Sequence, residues 1–397
     1  MMRARYVTCA LLVAACSAPV TPLATARIDT LPGGVIQIHN SGPTLWADTS
    51  GWRLVQERVI APTEGTPGAL TNIGPMAVDS RDNLYVMQRD PATIKVYGVD
   101  GTWLRDIGRQ GNGPGEFRFS MLGIYHDTLF VQDQENNRLS LFTTDGQLIR
   151  SVPSQCCINM GKLFINDSGL AAIPGLSPDP AKSSMAWYLT DAHGAVHDTV
   201  FELENHGDRS GIWEIELKRG KLGMNIAIPI PAAAALHDAG TSAITRISGN
   251  TSRYSFAVRQ IRGDTLRLIE ATAPTLVMDE ADGDSIFAES VTNASPVFRD
   301  ALVKVARRGD IPKMWPLWSE VDIDGAGRFW VQRRNPSGHG DLFDVFAADG
   351  ILLGTAPAPA VQILHEGVWT ADRVFVATVD AEGLPRIIVF RIDHRGK

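Results

Sequence analysis

Residues 107–152 read IGRQGNGPGEFRFSMLGIYHDTLFVQDQENNRLSLFTTDGQLIRSV, and this stretch decides the fold. Gly111, Gly113 and Gly115 give its leading loop positions free to adopt positive φ. Four runs then alternate or stay apolar at strand length, at 121–124, 128–132, 138–143 and 148–152. The breaks between them are His126-Asp127, Glu135-Asn136-Asn137 and Asp145-Gly146, and Asp-Gly is a strong hairpin signal. Four antiparallel strands within about forty-five residues make one blade of a β-propeller.

Working outward, the unit recurs. A first blade spans 76–107 with its outer turn at Asp100-Gly101; a third, weaker one spans 163–201 with Asp191-Ala192-His193-Gly194 at that turn. A fourth spans 232–269 with Gly263-Asp264, and a fifth spans 318–355 with Asp349-Gly350. The first three turns are one blade apart, whereas the two later gaps are too long. Insertions at 204–230 and 272–316 absorb the excess, and both fall between the outer strand of one blade and the inner strand of the next. The last blade shows strands at 361–364, 374–379 and 386–392 but no fourth, so the strand-like run 52–60 (WRLVQERVI) is expected to complete it. Closure by both termini would remove exposed sheet edges. The fold class is therefore all-β: a six-bladed β-propeller closed by an N-terminal strand over residues 52–397. A partly helical insertion lies between blades four and five, where Phe298, Ala301, Leu302 and Val305 have helical spacing and Arg307-Arg308-Gly309 supplies a stop.

The central stretch resembles the NHL repeat. That pattern is a Gly-rich loop closed by Gly-x-Phe, an Ile-Tyr-Val-type strand, Asn-Arg-Ile-x-Val-Phe, and Asp-Gly. Gly113-Pro114-Gly115-Glu116-Phe117, Leu129-Phe130-Val131, Asn137-Arg138-Leu139-Ser140-Leu141-Phe142 and Asp145-Gly146 fall in that order. The resemblance covers residues 75–152 and again 317–356. It implies a six-bladed propeller but no single activity, since relatives include scaffolds, peptide or RNA binders, lyases and lactonases.

The N-terminus carries Arg3 and Arg5, an apolar run from 6 to 15, and small residues before a cysteine, which reads as an export signal over residues 1–15. Val13-Ala14-Ala15-Cys16 resembles a bacterial lipobox, which implies cleavage before Cys16 and its lipidation. Ser17 stands in place of the Asp that favours inner-membrane retention, so the outer membrane is preferred. Residues 16–51 then form a tether and N-terminal segment, with 17–30 rich in Ala, Pro and Thr and read as flexible. The net charge of −7 argues against a nucleic-acid partner, which needs a basic stripe. Beyond the leader, the cysteines are Cys16 and the adjacent pair Cys156-Cys157. That pair can close a vicinal disulfide, remain as thiols, or take a redox or metal role; two thiolates alone make a poor zinc set.

Loops sharing the end that carries the insertions supply the candidate ligand-binding residues: Arg89, Asp90, Arg109, Glu116, Asp133, Glu135, Arg333, Arg334 and His339. Each taken singly is also explained by solvation on an exposed turn. The motifs of zinc proteases, α/β-hydrolases and Walker-type nucleotide sites are missing from the sequence. Its glycines at 111, 113 and 115 precede a strand, so no helix N-terminus is offered to a phosphate. His126, His193 and His237 fall in turns, and Glu320 alone is placed to face the central axis, where hydrogen bonding in the channel accounts for it. No cofactor or metal is expected under the leading reading, a binding or scaffolding module for a peptide, glycan or envelope protein. The alternative is a metal-assisted lyase or lactonase with Ca or Zn in the channel. A third reading is an envelope assembly subunit that binds through its sides.

Overall fold

A computed structural model describes residues 25–41, 51–154, 265–335, 340–361 and 367–394, and between 155 and 264 the strands with a few flanking residues. The described residues are mostly β and include six sheets of four or more strands. The first sheet is Ile73–Val78, Leu84–Arg89, Ala92–Tyr97 and Trp103–Ile107. The second is Ser120–Tyr125, Thr128–Asp133, Arg138–Thr143 and Leu148–Pro153. The third is Phe164–Ile165, Ala171–Leu176, Met185–Thr190 and Val196–Leu203. Ala235–Leu236, Ser242–Asn250, Arg253–Gln260 and Thr265–Thr272 form the fourth. Trp318–Ile323, Phe329–Arg334, Asp341–Phe346 and Leu352–Pro357 form the fifth. Val368–Trp369, Arg373–Val379, Pro385–His394 and, from the other end of the chain, Trp52–Ile60 form the sixth.

Wherever contacts between sheets are described they join sheets that follow one another, counting the last with the first, which makes the fold β-propeller-like. Ile73–Val78 contacts both Ser120–Tyr125 and Val368–Trp369; Ser120–Tyr125 contacts Phe164–Ile165, and Ala235–Leu236 contacts Trp318–Ile323. Cover on both sides makes the second strand apolar through its middle on both faces: Leu84, Tyr85, Val86 and Met87 are all at most 1% exposed. Outer strands are covered less, and Trp103 and Leu104 reach solvent.

Two devices repeat between sheets. The outer-turn glycines Gly101, Gly146 and Gly350 have φ of +83°, +91° and +94°, and each rests on an isoleucine of the preceding sheet, Ile60, Ile107 and Ile269. The inner turns are organised by a buried carboxylate. Asp79 accepts the Arg81 and Asn83 N–H groups at 2.9 Å and the Tyr85 hydroxyl at 3.1 Å. Asp324 accepts the Ala326 and Arg328 N–H groups at 2.9 and 3.0 Å and the Trp330 indole at 2.8 Å. Asp-x-x-x-x-x-aromatic thus recurs with the same hydrogen bonds.

The two ends are tied in differently. Trp52–Ile60 pairs antiparallel with Pro385–His394, from Trp52↔His394 to Ile60↔Ile387, which is the pairing expected from the sequence. The flexible reading of residues 17–30 is corrected over its last part. Thr25–Thr30 pairs with Ile36–Ser41, and the latter lies parallel to Thr265–Thr272, so this hairpin widens the fourth sheet. Burial of Ile38 beside Ile269 holds it there, and the buried Asn40 amide donates to Gly350 O at 3.0 Å while accepting Leu352 N–H at 2.8 Å.

Both long connections carry structure. Between Val196–Leu203 and Ala235–Leu236 stands the hairpin Ile212–Leu217 with Gly220–Asn225. Between Thr265–Thr272 and Trp318–Ile323 stand helices α1 (Glu280–Thr292) and α2 (Pro296–Val305). Phe298, Ala301, Leu302 and Val305 face inward on α2 as their spacing requires. Helix α1 escapes a periodicity reading because its polar sequence buries only Gly283, Ile286 and Ser290. Asp279 caps it, accepting Asp282 N–H at 2.7 Å.

Candidate functional site

In a sheet whose first strand leaves one end, the second-to-third turns and the connections to the next sheet all emerge at that same end. Both insertions are such connections, and they flank the short strand Ala235–Leu236. They share one core: Trp213 and Ile215 of the hairpin pack with Met278, Ile286, Leu302 and Ile311. The Trp213 indole donates to Asp310 Oδ2 at 2.9 Å, and Arg308 crosses to α1, reaching Asp284 at 2.5 Å and Glu280 O at 3.0 Å. Arg307 satisfies the end of α2 by donating to Lys304 O and Ala306 O at 2.9 Å. The base of the longer insertion is pinched by Met278 N–H to Lys313 O at 3.0 Å and Trp315 N–H to Leu276 O at 2.9 Å. The result is a cap fastened at its neck, and Arg334 lies with its guanidinium carbon 3.5 Å from the Trp315 ring centroid, tying the cap to the fifth sheet.

The structure divides the candidate residues. Two are fully buried. Asp133 is fully buried and accepts the backbone N–H groups of Arg118 and Asn136 at 3.2 and 3.3 Å, so it shapes the loops around it. Arg333 is 1% exposed and donates from Nε to both Asp344 oxygens at 2.8 Å. Burial pushes the Asp344 carboxyl above its usual range, and Arg333 pulls against that rise. Tyr254, donating to Asp344 Oδ2 at 2.6 Å, is also raised, first by burial and then by that carboxylate. Their inward position has a clear cause: strand alternation turns the penultimate residue of Phe329–Arg334 toward the preceding sheet.

Arg109 and Glu116 engage each other, Arg109 Nε donating to Glu116 Oε1 at 2.8 Å. The Gly113 N–H donates to Glu116 Oε2 at 2.8 Å, and that contact first, then Arg109, holds the Glu116 carboxyl below its ordinary value. Glu135 is exposed and lies 3.5 Å from Arg118. Asp90 is exposed, and its carbonyl accepts the Thr71 hydroxyl at 3.2 Å. Glu320 is exposed and opposite Gln332 in the fifth sheet. His339, Cys16, Cys156 and Cys157 lie outside the described residues. Among the described residues no three His, Cys, Asp or Glu side chains are grouped to hold a metal ion.

Arg89 is different. Its guanidinium stands 5.1 Å from the Phe119 ring centroid, its Nε is buried, and burial lowers its pKa. Beside it the sequence reading passed over Phe119, Ser120 and Gln134. Ser120 was hidden because the strand pattern begins at Met121, although an arginine at the end of an inner strand with no acidic register neighbour marks the place.

No protein-family model matches the chain, and no curated protein matches it. Among solved structures it is similar to a protein of Bacteroides fragilis provisionally described as exported (9% identity, TM-score 0.47, covering 91% of this chain and 100% of that one). It is also similar to a member of the DUF4221 family from Bacteroides vulgatus (13% identity, TM-score 0.47, 87% and 100%). A third is virginiamycin B lyase from Staphylococcus aureus (12% identity, TM-score 0.40, 85% and 99%). These likenesses assign no activity to this chain.

Proposed function

We propose that the chain is a six-bladed, NHL-like β-propeller closed by Trp52–Ile60, with a helical cap inserted between blades four and five. It acts outside the cytoplasm as a binding module for a peptide, glycan or envelope protein. The observation that carries this reading is the shared core of the two insertions: elaboration of one end of a propeller, with separate segments folded onto each other, builds a surface that the ring itself does not need. A lipid on Cys16 holds the module to the outer membrane, and the export signal places it there.

The test is binding of the purified mature domain to peptide and glycan arrays, with bound ligand analysed by mass spectrometry. Saturable binding, weakened by Leu302→Asp and leaving the ligand chemically intact, is the expected result. Turnover of the ligand, together with stoichiometric calcium or zinc in the purified domain, would overturn it in favour of a lyase or lactonase. Separately, Cys16→Ala is expected to move the protein from the membrane to the soluble fraction, and unchanged membrane retention would remove the anchor from this reading.

A further inference from the structure

Arg89 ends the second strand of the first sheet, where its register partner is Ala92. Strand alternation therefore turns its side chain toward the second sheet, where Phe119 meets it. Its path is permitted by Gly74: a Cβ there would lie 3.1 Å from Arg89 Nε. Gly74 belongs to Ile73–Val78, the first strand of its sheet, so the guanidinium runs across the strand nearest the central axis.

Buried or half-buried arginines at comparable places in other sheets have carboxylate partners. Arg328 has Asp324 at 2.6 Å, Arg333 has Asp344 at 2.8 Å, and Arg373 has Glu57 at 2.9 Å. Arg89 has neither an ion pair nor a side-chain hydrogen bond among the described residues. A half-buried cation without a counter-charge is unfavourable unless something supplies one. Two groups next to Phe119 share its deficit. Ser120 Oγ, 3% exposed as a residue, and Gln134 Nε2 are buried without partners. Both flank Phe119, Ser120 by sequence and Gln134 through its N–H donated to Phe119 O at 3.0 Å. Arg89 and the Gln134 amide nitrogen can only donate, and the serine hydroxyl is free to do so. A neutral ligand would leave the charge uncompensated, whereas an oxyanion answers charge and donors together.

We propose that Arg89, Ser120 and Gln134, set around Phe119 at the axial end of the first two sheets, form a subsite for an oxyanion. The group it takes is a carboxylate or phosphate on a small organic ligand or chain end. This rests on the binding-module reading and specifies one feature of the ligand. Phe119 gives the guanidinium a flat surface that keeps its donating edge directed away from the ring.

The test uses calorimetric titration of the full mature chain at constant ionic strength, with glucuronate, glucose 6-phosphate and glucose as probes. Saturable binding of at least one anionic probe and none of glucose is expected, and the stronger anion tells carboxylate from phosphate. Arg89→Gln is expected to weaken that binding by about tenfold or more, as for a lost charge-assisted hydrogen bond. The control Arg150→Gln, an equal charge change on the exposed outer strand of the second sheet, should leave it within about twofold. Should Arg89→Gln misfold by near-ultraviolet circular dichroism, Ser120→Ala and Arg89→Lys, each expected to weaken the anion severalfold, replace it. Equal anion binding by wild type and the Arg89 variant, or equal heats for glucose, overturns the subsite. If an array ligand still binds Arg89→Gln as well as wild type, the subsite fails while the module reading stands. If array ligands are turned over while anion binding remains Arg89-dependent, the module reading fails and the subsite stands.

Discussion

Arg333 and Asp344 form an ion pair within the fifth sheet, on the face that meets Tyr254 of the fourth, Nε meeting both carboxylate oxygens at 2.8 Å with each side chain at most 1% exposed. Removing one partner strands the other charge in the interior. Arg333→Met is expected to cost about 3–5 kcal/mol in denaturant unfolding. The double variant Arg333→Met with Asp344→Leu should regain most of it, because an apolar pair of similar volume needs no desolvation of ions. A double variant no better than the single one would mean that the pair's geometry, and not its charge, supports the interface.

The outer turn of the second sheet makes a sharper steric case. Gly146 has φ of +91°, and a Cβ there would sit 2.9 Å from Ile107 Cγ1. Gly146→Ala is expected to destabilise by about 1–3 kcal/mol, from the left-handed backbone and the overpacking together. Pairing it with Ile107→Val should recover the contact share alone, leaving about 1–2 kcal/mol for the backbone. Thermal unfolding of the two variants separates the contributions.

Acid should act on the leading loop of the second sheet. The Glu116 carboxyl is lowered by the Gly113 N–H and then by Arg109, so its favourable contribution is fully present above the ordinary glutamate range. That contribution is lost as pH falls through the lowered folded value. In Arg109→Ala the Glu116 titration, followed by carboxyl carbon resonance, should remain below the ordinary value, because the first cause is retained. A return to the ordinary value would assign the shift to Arg109 instead.

Deleting residues through Ile60 should leave Pro385–His394 with an unpaired edge. Self-association of that truncated chain in sedimentation is the expected outcome, since an open edge recruits another strand. A deletion ending before Trp52 spares Trp52–Ile60, removes of the described strands the hairpin Thr25–Ser41, and should stay monomeric at the same concentration if the closing strand is what protects the edge.

The strand pattern was most legible in the first, second and fifth units, which announce themselves twice, by an apolar second strand such as Leu84–Met87 and by an Asp-Gly turn such as Asp145-Gly146. The partner of Pro385–His394 was legible for a topological reason, since the last unit lacked one strand and the first residues offered a spare. Charge was a poorer guide. Asp133 and Arg333 look like turn residues in sequence, yet alternation buries both, and only their opposite neighbours across sheets reveal it. Conversely, Arg89 gains its interest from what does not stand next to it, and a missing counter-charge has no signature in a linear sequence. Helix α1 was hidden by its own acidity, and Thr25–Thr30 by a composition that suits a linker as well as an edge strand.

The seam between Trp52–Ile60 and Pro385–His394 also fixes when the molecule can be finished. It joins stretches near opposite ends of the chain, a separation that makes late, slow completion the rule. During synthesis the early sheets can form while Trp52–Ile60 has no strand to pair with, because its partner Pro385–His394 is made last and also joins it to Arg373–Val379. The strand made earliest in this seam thus waits longest for its neighbour, and the last sheet is the one whose completion depends on the tail.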